Sequence, residues 1–158
     1  MCIRDRMEIE QEGGRYSLEK PLIAITKQEL SPCLLYTSCV WEAALSASKF
    51  KADHLIGILD NNGVQLDGTL EDIMPMGDIK AKWEAFGWNV IPCDGHDVED
   101  ICRAVEEAKM TADKPSLILA KTVKGKGVSF MEGKNTWHGK AIGDQEYAQA
   151  KAELGGDR

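Results

Sequence analysis

The sequence predicts an α/β fold in which helices pack on a sheet of parallel strands. Three short apolar runs alternate with segments of helical periodicity, and turn-forming residues follow each run. Because strand, helix and strand in succession imply right-handed crossovers, the strands are expected to lie parallel. We expect this alternation to extend over residues 40–154, whereas residues 1–38 show no such pattern.

The first helix and the first strand of the regular part are predicted directly after residue 39. Residues 40–51 carry apolar side chains on one helical face, namely Val40, Ala43, Ala44, Ala47 and Phe50. Residues 54–59 form a continuous apolar run, which is typical of a strand buried on both faces. The Asp-Asn-Asn-Gly sequence at residues 60–63 is expected to end this strand in a turn.

The later elements are predicted from two N-caps and two further apolar runs. Asp78 and Asp97 each precede a helical pattern and are expected to cap it. The core-facing stripe of the helix after Asp97 would be Val98, Ile101, Cys102 and Val105. In chain order we expect a helix over 78–86, a strand over 88–93, a helix after Asp97, a strand over 116–120 and a helix around 144–154.

Composition and charge exclude several classes of protein. The 158 residues are 43% hydrophobic and 28% charged, which is ordinary for one globular domain. A net charge of −7 disfavours nucleic acid and acidic membranes as partners, and no apolar run approaches the roughly 18 residues of a membrane span. Five cysteines without a C-x-x-C pair indicate neither a disulfide framework nor a zinc ribbon, so a cytoplasmic location is expected.

Two hexapeptides in the first 38 residues look foreign to the rest of the chain. Residues 1–6 and 33–38 can be encoded by DNA strings that are near reverse complements and that resemble the transposase mosaic-end adapter of sequencing libraries. We interpret residues 1–38 as a chimeric, poorly ordered segment and residues 39–158 as a partial domain. The alternative is coincidence combined with an ordinary N-terminal extension.

Three loops follow the predicted strands, at residues 60–64, 94–97 and 121–127. The carboxyl ends of parallel strands meet at one edge of the sheet, where such folds bind their ligands. Functional residues are therefore expected in these loops.

The loop at 121–127 concentrates Lys121, Lys124 and Lys126 with Gly125 and Gly127 in an acidic protein. Lysine supplies positive charge, and glycine lets backbone N–H groups approach an anion, so the loop suits phosphate or diphosphate. The alternative is a solvated basic turn, and the spacing is not that of a Walker A loop.

Two other motifs offer chemistry with more ordinary alternatives. Asn62 and its neighbours supply the oxygen ligands that Mg²⁺ prefers, although a plain turn uses the same residues. His138, in Trp-His-Gly, could donate to an anion or exchange a proton, although a lone histidine is more often structural. His96 lies among turn residues just before an N-cap and is interpreted as structural.

Taken together, these segments resemble transketolase. The matching strings are Val-Trp-Glu-Ala-Ala at 40–44, Leu-Asp-Asn-Asn-Gly-Val-Gln-Leu-Asp-Gly at 59–68, Phe-Gly-Trp at 86–88, Asp-Gly-His-Asp at 94–97, Lys-Thr-Val-Lys-Gly-Lys-Gly at 121–127 and Trp-His-Gly-Lys at 137–140. The resemblance is greatest to the short bacterial type, which is encoded as separate N- and C-terminal subunits. It implies a three-layer thiamine-diphosphate-binding fold, truncated at its N-terminal side.

The resemblance also implies an activity and a set of site residues. Transketolases transfer two-carbon ketol units between sugar phosphates in the pentose phosphate pathway, with thiamine diphosphate and a divalent cation, usually Mg²⁺. The metal ligands would be the Asn62 side chain and the Val64 carbonyl, with Gly63 between them. Lys124 and His138 would contact the diphosphate, and His138 would also reach the reacting substrate oxygens. The implied partners are a second protomer and the C-terminal subunit.

One departure from the family pattern bears on activity. The metal-binding Asp of a Gly-Asp-Gly motif is expected at position 32, where this chain has Pro32. Proline offers no metal-ligating side chain and no N–H group. The glutamate that activates the cofactor belongs to the other half of the enzyme. We therefore expect the isolated chain to be inactive.

Two alternatives remain open at this point. The chain could belong to another thiamine-diphosphate enzyme, such as a deoxyxylulose-phosphate synthase or a dehydrogenase E1 component. It could also be a catalytically dead module that keeps the fold and binds a partner.

Overall fold

A computed structural model describes residues 22–26 and 40–155 of the chain. Its strands are β1 (Leu22–Thr26), β2 (Ile56–Asn61), β3 (Asn89–Asp94) and β4 (Ser116–Lys121). They form one sheet in the order β1-β2-β4-β3, and each neighbouring pair is parallel. The predicted α/β class with a parallel sheet is therefore confirmed.

Five α-helices accompany the sheet in the described part of the chain. They are α1 (Val40–Lys49), α2 (Leu70–Ile73), α3 (Ile79–Ala85), α4 (Val98–Met110) and α5 (Asp144–Glu153), and a single 3₁₀ turn covers Asn135–Trp137. Both predicted N-caps are confirmed, since the Asp78 carboxylate accepts from the Ala81 N–H at 2.9 Å and that of Asp97 accepts from the Glu99 N–H at 2.9 Å. The four-residue α2 was not predicted; its cap is the Thr69 hydroxyl, which accepts from the Asp72 N–H.

The helices pack on both faces of the sheet and so form three layers. Successive strand residues point to opposite faces, as Leu117 and Ile118 of β4 do. One face packs against α1 and α3 through the buried side chains Ala44, Ala47, Leu59, Ile79, Trp83, Trp88, Val90 and Leu117. The other packs against α4 through Ile56, Ile91, Cys93, Ala104, Ala108, Ile118 and Ala120.

Four predicted core residues, two on each of two helices, are exposed. Val98 is 72% exposed and Cys102 is also exposed, whereas Ala104 and Ala108 are fully buried. The buried face of α4 passes through these two alanines because small side chains let the helix approach the sheet closely. In α1, Ala43 and Phe50 are exposed because the buried face is set by Ala44 and Ala47 and the helix ends at Lys49.

Each of the three predicted strands extends further toward its carboxyl end than the sequence pattern indicated. Asp60 and Asn61 belong to β2, where they pair with Ala120 and Lys121 of β4, and not to a turn. Asp94 of β3 likewise pairs with Lys121. Hydrogen bonding to a parallel neighbour keeps these polar residues extended, although they interrupt the apolar runs.

The N-terminal expectations fall mostly outside the described residues. The backbone of Leu22–Thr26 pairs with β2 in a register that sets Ile25 beside Leu59, so a strand forms where none was predicted. Residues 1–21 and 27–39, including both adapter-like hexapeptides, lie outside the description. The chimeric origin, poor order and domain boundary at residue 38 therefore stay predictions. Within the described residues, no helix is long and apolar enough to cross a membrane.

Candidate functional site

The carboxyl ends of β2, β4 and β3 lie at one level of the sheet. The register aligns Asn61 with Lys121 and Lys121 with Asp94, so the three strands end side by side. The loops that leave these ends therefore open on the same edge, as the sequence predicted. We call this edge the rim. It consists of the three loops at residues 60–64, 94–97 and 121–127.

The loop after β2 is shaped by Asp60 and Asn62. The Asn62 side chain donates to the Asp60 carboxylate at 3.2 Å, and its amide oxygen accepts from the Val64 N–H at 3.0 Å. The other oxygen of the Asp60 carboxylate accepts a short hydrogen bond from the Thr122 hydroxyl. Asp60 thus fastens the loop after β2 to the loop after β4.

The basic loop, residues 121–127, is held in a compact turn. The Gly133 N–H donates to the Lys124 carbonyl at 2.8 Å, and the Val128 N–H donates to the Gly125 carbonyl at 3.1 Å. Gly125 has φ +69°, and a Cβ there would lie 2.8 Å from Met131, so a side chain would not fit. Lys124 is half-buried, whereas Lys126 is exposed and pairs with Glu132 at 3.4 Å.

The loop after β3 contacts the basic loop directly. The Gly95 N–H donates to the Lys121 carbonyl at 2.8 Å. The Val123 N–H donates to the His96 Nε2 at 2.7 Å. A Cβ at position 95 would lie 2.4 Å from the Thr122 side chain, which explains why glycine is needed where the two loops meet.

These loops enclose an open cleft of about 540 Å³. Its lining combines basic, acidic and apolar side chains, namely Asn61, Pro92, Cys93, Asp94, His96, Leu119, Lys121, Val123 and Lys126. Lys121 and Lys126 of the basic loop are among them, whereas the contacts implied by the transketolase resemblance, Asn62, Gly63, Val64, Lys124 and His138, are not. The cleft therefore adjoins the predicted site and does not coincide with it.

His138 lies in a separate segment that returns to the loop after β2. It directly follows the 3₁₀ turn, is half-buried, and its N–H donates to the Asn135 carbonyl at 2.9 Å. The Asn135 side chain donates to the Leu66 carbonyl at 3.2 Å, which joins this segment to the loop containing Asn62. Lys140 stacks over Trp137, with its Nζ 3.8 Å from the ring centroid.

Gln65 is a polar residue of this region that sequence reasoning missed. It is only 7% exposed, and neither its amide oxygen nor its amide nitrogen has a hydrogen-bond partner among the described residues. A buried amide without partners is costly, so the position is suited to receive a polar group from outside the described residues. The one available signal was a glutamine placed between the apolar residues Val64 and Leu66.

Two ionisable groups near the cleft have displaced pKa values. Burial raises the pKa of the Cys93 thiol, and the nearby Asp100 carboxylate adds to that effect, so the thiol stays protonated. The Asp94 N–H and the Arg103 guanidinium, which both donate to Asp100, lower the pKa of that carboxyl. Asp100 therefore stays charged and fixes the start of the β3 loop.

Comparison with known proteins identifies the family. Residues 31–158 match the family described as "Transketolase, thiamine diphosphate binding domain". The chain belongs to the transketolase family. The resemblance drawn from its loop motifs is thereby confirmed, as is the three-layer fold it implied.

Relatives and solved structures agree with this assignment. The chain is 45% identical over 115 residues to a 6-deoxy-6-sulfo-D-fructose transketolase subunit of Clostridium sp. (strain MSTE9), covering 73% of this chain and 42% of that protein. It is 42% identical over 103 residues to human transketolase, covering 65% and 16%. The crystal structure of Campylobacter jejuni transketolase superposes with a TM-score of 0.73 at 31% identity, covering 85% and 20%.

The transketolase segment is shorter than the proteins it resembles. It spans about two fifths of the bacterial subunits, which include an apulose-4-phosphate transketolase subunit of Phocaeicola vulgatus at 38% identity over 115 residues, covering 73% of this chain and 41% of that protein. It spans about one sixth of human transketolase.

The described residues fit a diphosphate group. Three lysines and two glycines with positive φ, Gly125 and Gly127, stand on the rim, and the unpartnered Gln65 amide lies in the loop beside it. Cations and hydrogen-bond donors are what a diphosphate requires when it leaves water. The donor chemistry of these residues therefore suits a diphosphate group.

The same residues fit a metal ion less completely. Asn62 and Val64 offer neutral oxygens, and the charged Asp60 already accepts from Asn62 and Thr122. Among the described residues, no group of three or more His, Cys, Asp or Glu side chains is placed to hold a metal. A hard cation here would need further oxygens, such as those of the diphosphate.

Proposed function

We propose that this chain is part of the N-terminal subunit of a transketolase, which transfers two-carbon ketol units between sugar phosphates. The observation that carries the proposal is the family match over residues 31–158, which includes all three rim loops. Thiamine diphosphate supplies the carbon nucleophile of that chemistry. The residues of this chain bind its diphosphate and orient it at the sheet edge.

Lys124 and His138 are the proposed contacts to the diphosphate, and His138 is also the proposed contact to the substrate. The Lys124 ammonium binds the diphosphate, since it is half-buried in a loop whose glycines admit backbone N–H donors. His138 donates to the diphosphate and holds a proton at the substrate oxygen. The Asn135 bond to Leu66, which returns the His138 segment to the loop after β2, supports this assignment.

Asn62, Gly63 and Val64 are proposed to hold the Mg²⁺ that accompanies the diphosphate. The Asn62 amide oxygen and the Val64 carbonyl are the two protein ligands in the described region, and the diphosphate supplies others. Gly63 has φ +78°, and a Cβ there would meet no atom within 4 Å, so the backbone leaves space for a ligand.

Two further parts of the proposal concern partners and location. Several relatives are named as subunits, which supports a C-terminal partner subunit, and a second protomer would complete the site.

We propose the cytoplasm as the location, because the chain has five cysteines without the spacing of a disulfide framework.

The isolated chain is proposed to be inactive because of Pro32. A proline cannot supply the carboxylate that the family uses at this position, and Asn62 and Val64 carry no charge to replace it. The chain alone should therefore show no ketol transfer from xylulose 5-phosphate to ribose 5-phosphate.

A gain-of-function experiment tests the assignment. Replacing residues 31–33 by Gly-Asp-Gly (S31G/P32D/C33G) should strengthen Mg²⁺-dependent binding of thiamine diphosphate, measured by calorimetric titration with and without EDTA. We expect a gain of about tenfold or more, since one charge-assisted contact contributes on the order of 1.5–3 kcal/mol. Adding Lys124→Ala should reverse much of that gain, because it removes the ammonium from the diphosphate.

The matched control is Lys114→Ala in the same triple variant, and Asn62→Ala in that variant is a second test. Lys114 is exposed and precedes β4 at the opposite sheet edge, so its removal should leave the affinity unchanged. Asn62→Ala should abolish the Mg²⁺-dependent part of the gain. Binding that is equal in all variants, or that is insensitive to EDTA, would contradict the assigned roles.

Pro32 also favours a second candidate, a catalytically dead module that keeps the fold and binds a partner. Under that candidate the Gly-Asp-Gly replacement gains no cofactor binding, although the chain remains folded by near-ultraviolet circular dichroism. The titration therefore discriminates between the two functions.

A further inference from the structure

His96 joins the two loops that flank the cleft. Its Nε2 accepts from the Val123 N–H at 2.7 Å across 27 residues of sequence. A backbone N–H can only donate, so the Nε2 must carry a lone pair and no proton. The imidazole is therefore neutral in this arrangement, with its proton on Nδ1.

The backbone of His96 is held independently of its side chain. The His96 N–H donates to the Asp94 carboxylate at 2.9 Å, and the Asp94 N–H donates to the Asp100 carboxylate at 2.7 Å. The adjacent Gly95 N–H donates to the Lys121 carbonyl at 2.8 Å. Three hydrogen bonds thus fix the base from which the imidazole reaches Val123.

Val123 directly precedes Lys124, the proposed diphosphate contact. The carbonyl of Lys124 accepts from Gly133, so the basic loop is fastened just before and at this lysine. The Gly133 bond is made by backbone atoms alone, whereas the Val123 bond depends on the protonation state of a side chain. Only the latter can respond to pH in the physiological range.

We propose that His96 is a positioning residue whose neutral imidazole holds the basic loop in its anion-binding conformation and releases it when protonated. An imidazolium carries a proton on both nitrogens and cannot accept from Val123. The loop should therefore be looser in acid than at pH 8, since a protonated imidazole offers Val123 no acceptor.

The charged groups near the imidazole belong to β3, to the start of α4 and to the basic loop. Asp94 lies at the end of β3 and Asp97 at the start of α4, while Lys121 and Lys126 belong to the basic loop. Cys93 lines the same cleft, and burial keeps its thiol protonated. The test therefore compares His96 with a variant that leaves all these groups in place.

That variant is His96→Gln, whose side-chain oxygen can occupy the place of Nε2 and accept at every pH. His96→Leu removes the acceptor at every pH. His54→Gln is the matched control, since His54 is exposed before β2 at the opposite sheet edge. Comparing these variants separates the effect of the His96 hydrogen bond from any effect of the other histidines.

The first measurement is hydrogen exchange of the Val123 amide in the full chain labelled with ¹⁵N-valine, expressed as a protection factor. Wild type and His54→Gln should lose about tenfold protection between about pH 8 and pH 5, the loss expected for one hydrogen bond. His96→Gln should keep its protection, and His96→Leu should lack it throughout. Weak protection of the wild type at pH 8, or the same pH dependence in His96→Gln, overturns the proposal.

The second measurement is binding of inorganic pyrophosphate and of thiamine diphosphate over the same interval. Diphosphate itself takes up a proton in acid, so the diagnostic quantity is the ratio of wild-type to His96→Gln affinity. That ratio should fall about tenfold toward pH 5. A ratio independent of pH, or no pyrophosphate binding at pH 8, overturns the proposal.

This inference deepens the proposed function, and the two can fail separately. If pyrophosphate binds with the expected pH dependence and thiamine diphosphate does not bind even to the S31G/P32D/C33G variant, the proposed function fails and the role of His96 stands. If thiamine diphosphate binds and the ratio of wild-type to His96→Gln affinity does not change with pH, the role of His96 fails and the proposed function stands.

Discussion

The two faces of the sheet are packed by different means. On the aromatic face, which carries α1 and α3, Trp83 is 1% exposed and lies 4.8 Å from Trp88 and 5.5 Å from Trp41 between ring centroids. On the alanine face, which carries α4, Ala104 and Ala108 pack against isoleucines of the strands. Large side chains fill a wide gap on one face, and small ones permit close approach on the other.

This difference predicts which changes each face tolerates. The aromatic face uses helices of 10 and 7 residues, which gain little stability from their own length. It therefore depends on a few large side chains, such as Trp88, whose indole N–H donates to the Ala44 carbonyl at 3.0 Å. The alanine face uses a 13-residue helix capped by Asp97 and should be sensitive to added volume instead.

Trp83→Ala should have the largest effect, because it removes the centre of the aromatic face. We expect a loss of about 3–5 kcal/mol in the free energy of unfolding, measured by urea titration followed by circular dichroism. Trp83→Phe is the control. It keeps an aromatic ring and removes a buried indole N–H that has no partner among the described residues, so it should lose far less. Equal losses in the two variants would show that the cluster does not depend on ring volume.

Ala104→Leu should have the next largest effect, because it adds volume where α4 lies close to the sheet. We expect a loss of about 1–3 kcal/mol in the free energy of unfolding. Cys102→Leu, on the exposed side of the same helix, should change it by less than about 0.5 kcal/mol. If Ala104→Leu were as mild as this control, α4 could not be in tight contact with the sheet.

The same contrast explains what could be predicted from the sequence. Strands β2, β3 and β4 and both aspartate caps were predictable because each depends on local periodicity or on a residue's own backbone neighbours. Ala104 and Ala108 were missed because alanine gives no bulky apolar signal, and the buried face of α4 is decided by how closely it approaches the sheet.

The candidate site was predictable only at the level of its loops. The positions of Asn62, Lys124 and His138 follow from motifs, and parallel register brings the three strand ends to one edge. The contact of His96 with Val123 joins residues far apart in sequence, and the burial of Gln65 depends on the folded loop. The first leaves no local pattern and the second only a glutamine between two apolar residues, so tertiary structure was needed to find them.

The prediction with the smallest expected effect concerns Asp100 and tests whether α4, on the alanine face, also stabilises the rim. Asp100 lies in the first turn of α4, accepts from the Asp94 N–H at 2.7 Å and pairs with Arg103 at 2.7 Å. Both contacts lower its pKa below the ordinary value, the backbone hydrogen bond more than the guanidinium. A carboxylate with a lowered folded pKa stabilises the fold above its unfolded pKa and loses that contribution as the pH falls through the folded value.

Asp100→Asn should therefore destabilise the chain at pH 7, and the difference from wild type should shrink below about pH 4, near the ordinary pKa of an aspartate. The asparagine oxygen can still accept from the Asp94 N–H, but the amide nitrogen cannot accept from Arg103, so the change removes the charge together with the Arg103 contact. Urea titrations at pH 7 and below about pH 4 measure the free energy of unfolding of each variant. Asp67→Asn, which changes an exposed aspartate in the loop after β2, is the charge-matched control. The same samples should show reduced amide protection at Asp94. A difference that persists unchanged in acid would mean that α4 packs on the sheet without fastening the loop that carries His96.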